Sequence, residues 1–156
     1  MNQLIYERVN RALIEFNLCF GEGYALCHPI SILVFRCLKH MGLKPKLIKG
    51  YFQTDLPSEH DDENDFNGEA LHYWVELDGH IIDLTACQFN DEIEGERMPE
   101  IIFCNKKSYP RYIKGKSVNP RLSIRAALKE ACGDREQDLD LTMVELGLKG
   151  KRGDHG

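Results

Sequence analysis

Ala70-Leu-His-Tyr-Trp-Val-Glu-Leu-Asp-Gly-His-Ile-Ile-Asp-Leu-Thr85 is the stretch on which the fold turns. Asp78-Gly79 between two runs of β-branched and aromatic residues is the strongest short hairpin signal. It predicts strands over residues 70–77 and 80–85, with Leu77 opposite His80. Counting back from the turn, Trp74 lies opposite Asp83 and His72 opposite Thr85. Side chains alternate faces along a strand, so His72, Trp74 and Asp83 share one face. His72 and Asp83 are diagonal neighbours, about 7–8 Å apart by Cα and within reach of longer side chains. A carboxylate inside Ile81-Ile82-Asp83-Leu84 costs stability unless it is paired, and this register offers it an imidazole.

Upstream, the period changes from two to 3.6. Ile30, Leu33, Val34, Cys37, Leu38 and Met41 fall on one helical stripe. They predict a helix from about Cys27 to Met41, with Pro29 in its first turn and Gly42 as a stop. Leu4, Ile5, Val9, Ala12, Leu13 and Phe16 give an earlier amphipathic helix near residues 2–18, broken by Gly21 and Gly23. Residues 46–53 read as a strand. A long polar loop follows over residues 54–69, with the acidic run 59–65 at its centre. Downstream, residues 100–104 read as a strand. Leu122, Ile124, Ala127, Leu128 and Ala131 suggest a third helix, and a short last helix near 138–147 is possible. Helices, then antiparallel strands, then helices make an α+β domain. We read residues 1–148 as a single domain and 149–156 as a disordered tail.

The 156 residues fit one domain of ordinary size, and 42% hydrophobic with 29% charged residues is normal for a chain with a real core. A net charge of −5 gives no global attraction to nucleic acid, and the basic run Lys149-Gly-Lys-Arg152 reads as a solvated tail. No stretch is apolar enough to span a bilayer, and the N-terminal residues lack the pattern of a signal peptide. The expectation is a cytoplasmic protein without a membrane or nucleic-acid partner. Six cysteines, at 19, 27, 37, 87, 104 and 132, include no C-x-x-C pair, so a zinc knuckle is not expected. In a reducing compartment they default to small buried hydrophobes.

Cys27 is the exception. At the start of a helix its sulfur faces unpaired backbone N–H groups and the positive end of the dipole, which favours a thiolate. The same N–H groups suit an oxyanion during acyl transfer. Cys37, in the middle of the stripe, is the structural counter-example. With His72 as base and Asp83 as orienter, Cys27 completes a nucleophile–base–orienter set. Trp74, beside His72, is expected either to shield the site and contact substrate or to pack the sheet. The other readings are a binding module that keeps the fold without activity, and a metal site using Cys27 or His28 with His72.

The segment Cys27-His-Pro-Ile-Ser-Ile-Leu-Val-Phe-Arg-Cys-Leu-Lys-His-Met-Gly42, running on to Gly50-Tyr51, resembles the transglutaminase-like superfamily. Its members open a helix with the nucleophilic cysteine, end it at a glycine, and follow with a strand closing in Gly-Tyr. His72-Tyr-Trp-Val-Glu76, Asp78-Gly79 and Asp83-Leu-Thr85 resemble its second and third motifs. The similarity spans residues 24–89. It implies a papain-like fold, with a cysteine helix packed on an antiparallel sheet that carries the histidine and the aspartate. It also implies an acyl-transfer enzyme without cofactor or metal, acting on a peptide or protein. Hydrolysis of a peptide or carboxamide bond by a protease, amidase or deamidase is the expected outcome, and amine acceptance by a transglutaminase is the alternative. Ala25 stands where these proteins usually have glycine, and no upstream glutamine supplies the second oxyanion donor. Tyr24, also a candidate for substrate contact, and Asn17 are the candidates for that role.

Overall fold

A computed structural model describes residues 1–20, 26–58, 64 and 66–132. Tyr24, most of the acidic run 59–65, the helix expected near 138–147 and the tail lie outside the described residues. Among the described residues, three α-helices and one five-stranded sheet make the fold: α1 (Gln3–Phe20), α2 (Cys27–His40), β1 (Lys46–Gln53), β2 (Glu69–Leu77), β3 (His80–Asp83), β4 (Ile102–Asn105), β5 (Tyr112–Val118) and α3 (Ile124–Cys132). The sheet is antiparallel throughout, in the order β4-β3-β2-β1-β5. This bears out the α+β expectation.

Helix α2 is the hub. Its stripe is buried as expected from Ile30 to Leu38, with Met41 just past the helix end and partly buried, but Pro29, Ser31, Ile32 and Phe35 are buried as well. The one-faced reading of this helix is therefore corrected. α2 lies between the sheet and helix α3, so apolar residues off the stripe have partners too. Val9, Leu13 and Phe16 of α1 and Ala127, Leu128 and Ala131 of α3 join it in one core with Leu47, Val75, Leu77, Ile82 and Phe103 from the near face of the sheet. Ser31 Oγ donates to the Tyr73 carbonyl at 3.1 Å, which pins the first turns of α2 to the middle of β2. Lys39 and His40 end the helix where cations favour the dipole.

The far face of the sheet has its own core, built from Ile48, Phe52, Trp74, Ile81 and Ile102 and covered by Ala86, Phe89, Ile93 and Met98. The chain between β3 and β4 supplies this cover, starting with a 3-10 turn at Ala86–Phe89. The hairpin forms as read. Leu77 pairs with His80, and Asp78 and Gly79 both take the positive φ that a tight two-residue turn of this hand requires (48° and 75°). β3 stops at Asp83, two residues short of expectation, because the Asp83 carboxylate captures the Thr85 N–H and bends the chain out of the ladder. β4 likewise begins at Ile102, two residues later than read.

β5 was not expected. Tyr112-Ile-Lys-Gly-Lys-Ser-Val118 has glycine and two lysines and no alternation, because it is an edge strand with one face largely in solvent. Lys49 pairs with Lys116 but Tyr51 pairs with Ile113, so β5 carries one extra residue opposite Gly50. Lys114 takes φ 54° at this bulge. One extra residue moves everything beyond it to the other face. Tyr112 thus sits opposite Phe52 and points into the far-face core rather than toward the helices.

The Trp74 indole lies over Gly50 of β1 and Gly115 of β5. A Cβ at Gly50 would come within 2.5 Å of Trp74 Cη2, and one at Gly115 within 2.8 Å of Trp74 Cζ2. Gly50→Ala and Gly115→Ala should therefore each lower stability by about 1–3 kcal/mol through overpacking, read from urea unfolding. The Gly115→Ala cost should shrink when Trp74→Phe removes the outer ring. Equal costs in both backgrounds would show that the indole does not impose the glycine.

Candidate active site

The hairpin register puts His72 and Asp83 on the far face, and their side chains meet. His72 Nε2 lies 2.6 Å from Asp83 Oδ2, and both residues are almost wholly buried, at 0% and 4% exposure. Asp83 is held on all sides. Oδ1 accepts from the Thr85 N–H at 2.8 Å and the Thr85 hydroxyl at 3.0 Å. Oδ2, besides the imidazole, accepts from the Tyr112 hydroxyl at 2.7 Å. A carboxylate has about four lone-pair sites, and here four donors fill them. This is what makes the burial of a full charge tolerable.

Burial pushes the Asp83 carboxyl toward the neutral acid, but the His72 charge and the donors from His72, Thr85 and Tyr112 overcome it and hold it below the usual carboxylate range. For His72, burial works toward the neutral ring. The Asp83 charge and hydrogen bond, followed by hydrogen bonding and charge from Cys27, outweigh it and push the imidazole up to about 9. Tyr112 is raised well above its ordinary range by burial and then by the Asp83 charge, so it stays a neutral donor.

Cys27 opens α2 and is half-buried. Its interaction with His72 follows from two local features. Ser31 ties the helix to β2 at Tyr73, and the His28 ring packs on Tyr73 with centroids 4.3 Å apart. The β2–β3 ladder ends at Val75 and Ile82, so the segment of β2 that carries His72 has no β3 partner. With Nε2 committed to Asp83, Nδ1 is the ring nitrogen left for Cys27; it is buried and has no hydrogen bond of ordinary geometry. No side chain caps the N-terminus of α2, where Leu26 is the N-cap.

Of the residues expected from sequence, His72 and Asp83 are in direct contact, and Cys27 is close enough to raise the proton affinity of His72. Trp74 is adjacent, its ring 6.1 Å from the imidazole, but it is 2% exposed and clamped over Gly50 and Gly115. Of its two expected roles, it takes sheet packing. Tyr24 lies outside the described residues. Asn17, the other oxyanion candidate, donates to Glu100 at 3.3 Å. Cys37 is buried, as expected for a structural cysteine, and burial pushes its thiol up to about 12. No group of three metal-ligating side chains occurs among the described residues. Sequence reasoning missed Tyr112 and Thr85. Thr85 was already opposite His72 in the register. Tyr112 carried no signal, because only the bulge at Lys114 turns it toward Asp83.

The two shifts set a stability window. His72 is raised above its usual 6.5, so its contribution is complete below that pH and is lost as pH rises through about 9. Asp83 is depressed, so its contribution is present above the usual 3.8 and is lost as pH falls through its lower folded value. Tyr112→Phe removes one donor and keeps the ring. It should cost about 1–2 kcal/mol at neutral pH and bring the acid loss to its end at a higher pH, because the folded carboxyl value rises toward the ordinary one. Urea midpoints across pH would show this; an acid limb identical to wild type would mean that the hydroxyl does not support the carboxylate.

Comparison of the chain with protein-family models, curated proteins and solved structures finds no match.

Proposed function

We propose that the chain is an acyl-transfer enzyme of the transglutaminase-like, papain-fold type, hydrolysing a peptide or carboxamide bond with Cys27 as nucleophile, His72 as acid and base, and Asp83 as orienter. One observation carries this reading: a buried imidazole is held by a carboxylate saturated with donors, and a half-exposed cysteine at a helix N-terminus raises its proton affinity further. A structural ion pair has no need of the cysteine, and a structural cysteine has no need of the N-terminus.

An imidazole raised to about 9 holds its proton at neutral pH. With the proton resident on His72, Cys27 attacks the carbonyl carbon as the sulfur anion, and a C–S bond forms. The carbonyl oxygen becomes an oxyanion, and the uncapped N–H groups of the first turn of α2 are the donors at hand. As the C–N bond breaks, His72 gives its proton to the leaving nitrogen. Water then enters; His72 takes one of its protons, the C–S bond breaks, and the acid is released with the starting charges restored. Water is the acceptor we assign, because Cys27 is partly open to solvent. Asp83 keeps Nε2 occupied throughout, so that Nδ1 handles every proton.

Iodoacetamide at neutral pH should alkylate Cys27 at least about tenfold faster than Cys37 or Cys104, whose thiols burial holds in the protonated form. Peptide mass spectrometry reads the order. Cys27→Ala and His72→Ala should each abolish amide turnover, and the double variant should be hardly worse than either. Labelling of Cys37 or Cys104 ahead of Cys27 would end this reading.

A further inference from the structure

A cavity of about 420 Å³ opens on the helix face of the sheet, on the side of β2 away from the His72 imidazole. His28, Lys49, Tyr73, Ser117, Asn119 and Arg121 contribute to its wall, and no carboxylate does. In a chain of net charge −5, this is a local reversal of sign. Neither Lys49 nor Arg121 has an ion-pair partner among the described residues, whereas Arg111 binds Asp55 and Glu96, and Lys114 binds Glu69.

The sheet adds to the positive field. Lys49 of β1 lies directly opposite Lys116 of β5. Like charges in that position destabilise a strand pair. Burial lowers the pKa of His28. The Glu130 charge opposes this, and the Arg121 and Lys49 charges push further down. Glu130 is exposed on α3 and is not part of the cavity wall. The His28–Tyr73 pair supplies a flat aromatic side, and Ser117 and Asn119 supply neutral hydrogen-bonding groups.

We propose that this cavity binds a small organic anion, with Lys49 and Arg121 on its carboxylate or phosphate and the His28–Tyr73 pair against its body. An oxyanion between Lys49 and Arg121 uses both ammonium and guanidinium donors. The volume suits a ligand of amino-acid to small-peptide size rather than a bare ion. The site makes no use of Cys27 or Asp83, so it stands or falls apart from the hydrolase reading.

The test uses the full chain and follows the His28 imidazole by NMR, assigned by its loss in His28→Asn. Inorganic phosphate is titrated first, then N-acetyl-phosphoserine amide, N-acetyl-glutamate amide and N-acetyl-glutamine amide. Phosphate should shift His28 saturably, and K49Q/R121Q should weaken it at least about tenfold. Lys44 and Lys46 are exposed and lie outside the cavity wall, so K44Q/K46Q, with the same change in net charge, should leave binding unchanged. Tighter binding of the phosphoserine probe assigns a phosphate ligand, and tighter binding of the glutamate probe a carboxylate. The proposal is overturned by the absence of any His28 shift, by equal weakening in K44Q/K46Q, or by the glutamine probe binding as well as the charged ones.

Discussion

A charged carboxylate enclosed in the sheet is the constraint on which the rest of the structure depends. Asp83 is almost fully buried, and a buried charge survives only with its hydrogen-bonding sites filled. The four donors come from three different structural devices. Thr85 supplies two, because the chain turns out of β3 directly after Asp83. His72 arrives through the hairpin register, and Tyr112 through the bulge in β5. The early end of β3, the tight Asp78-Gly79 turn and the irregular edge strand are one solution to one electrostatic problem.

That solution also shapes the imidazole. Held by a carboxylate through Nε2, His72 keeps a defined orientation and a raised affinity for its proton. The departure of β3 leaves the neighbouring stretch of β2 without a partner on that side, and Ser31 bolts the first turns of α2, which Cys27 opens, to the middle of β2. Under the proposed function, stability and chemistry are coupled through the same atoms. A substitution that loosens Asp83 acts on the fold and on the proton at His72 together.

Much of this was legible in the residues. Asp78-Gly79 fixed the register, and the register fixed the face shared by His72, Trp74 and Asp83. The 3.6-residue stripe located α2 and separated Cys27 at its start from Cys37 in its middle. What was not legible depended on tertiary context. The full burial of α2 follows from layers on more than one side, which a single stripe does not reveal. β5 hid because an exposed edge strand with Gly115 and two lysines has no alternation to read. Tyr112 hid with it, since a one-residue bulge inverts its face without leaving a mark in the sequence. Asp83 ended its own strand early because its side chain competed for the Thr85 N–H, a local contest that strand propensity does not describe.

The most direct test of the account is the NMR titration of the His72 imidazole in the wild type and in Asp83→Asn. The account predicts a wild-type midpoint near 9 and, once the carboxylate charge is gone and burial prevails, a fall to below the ordinary 6.5 in the variant. A His72 that titrates near 6.5 in the wild type, or that keeps its high value in Asp83→Asn, would contradict it.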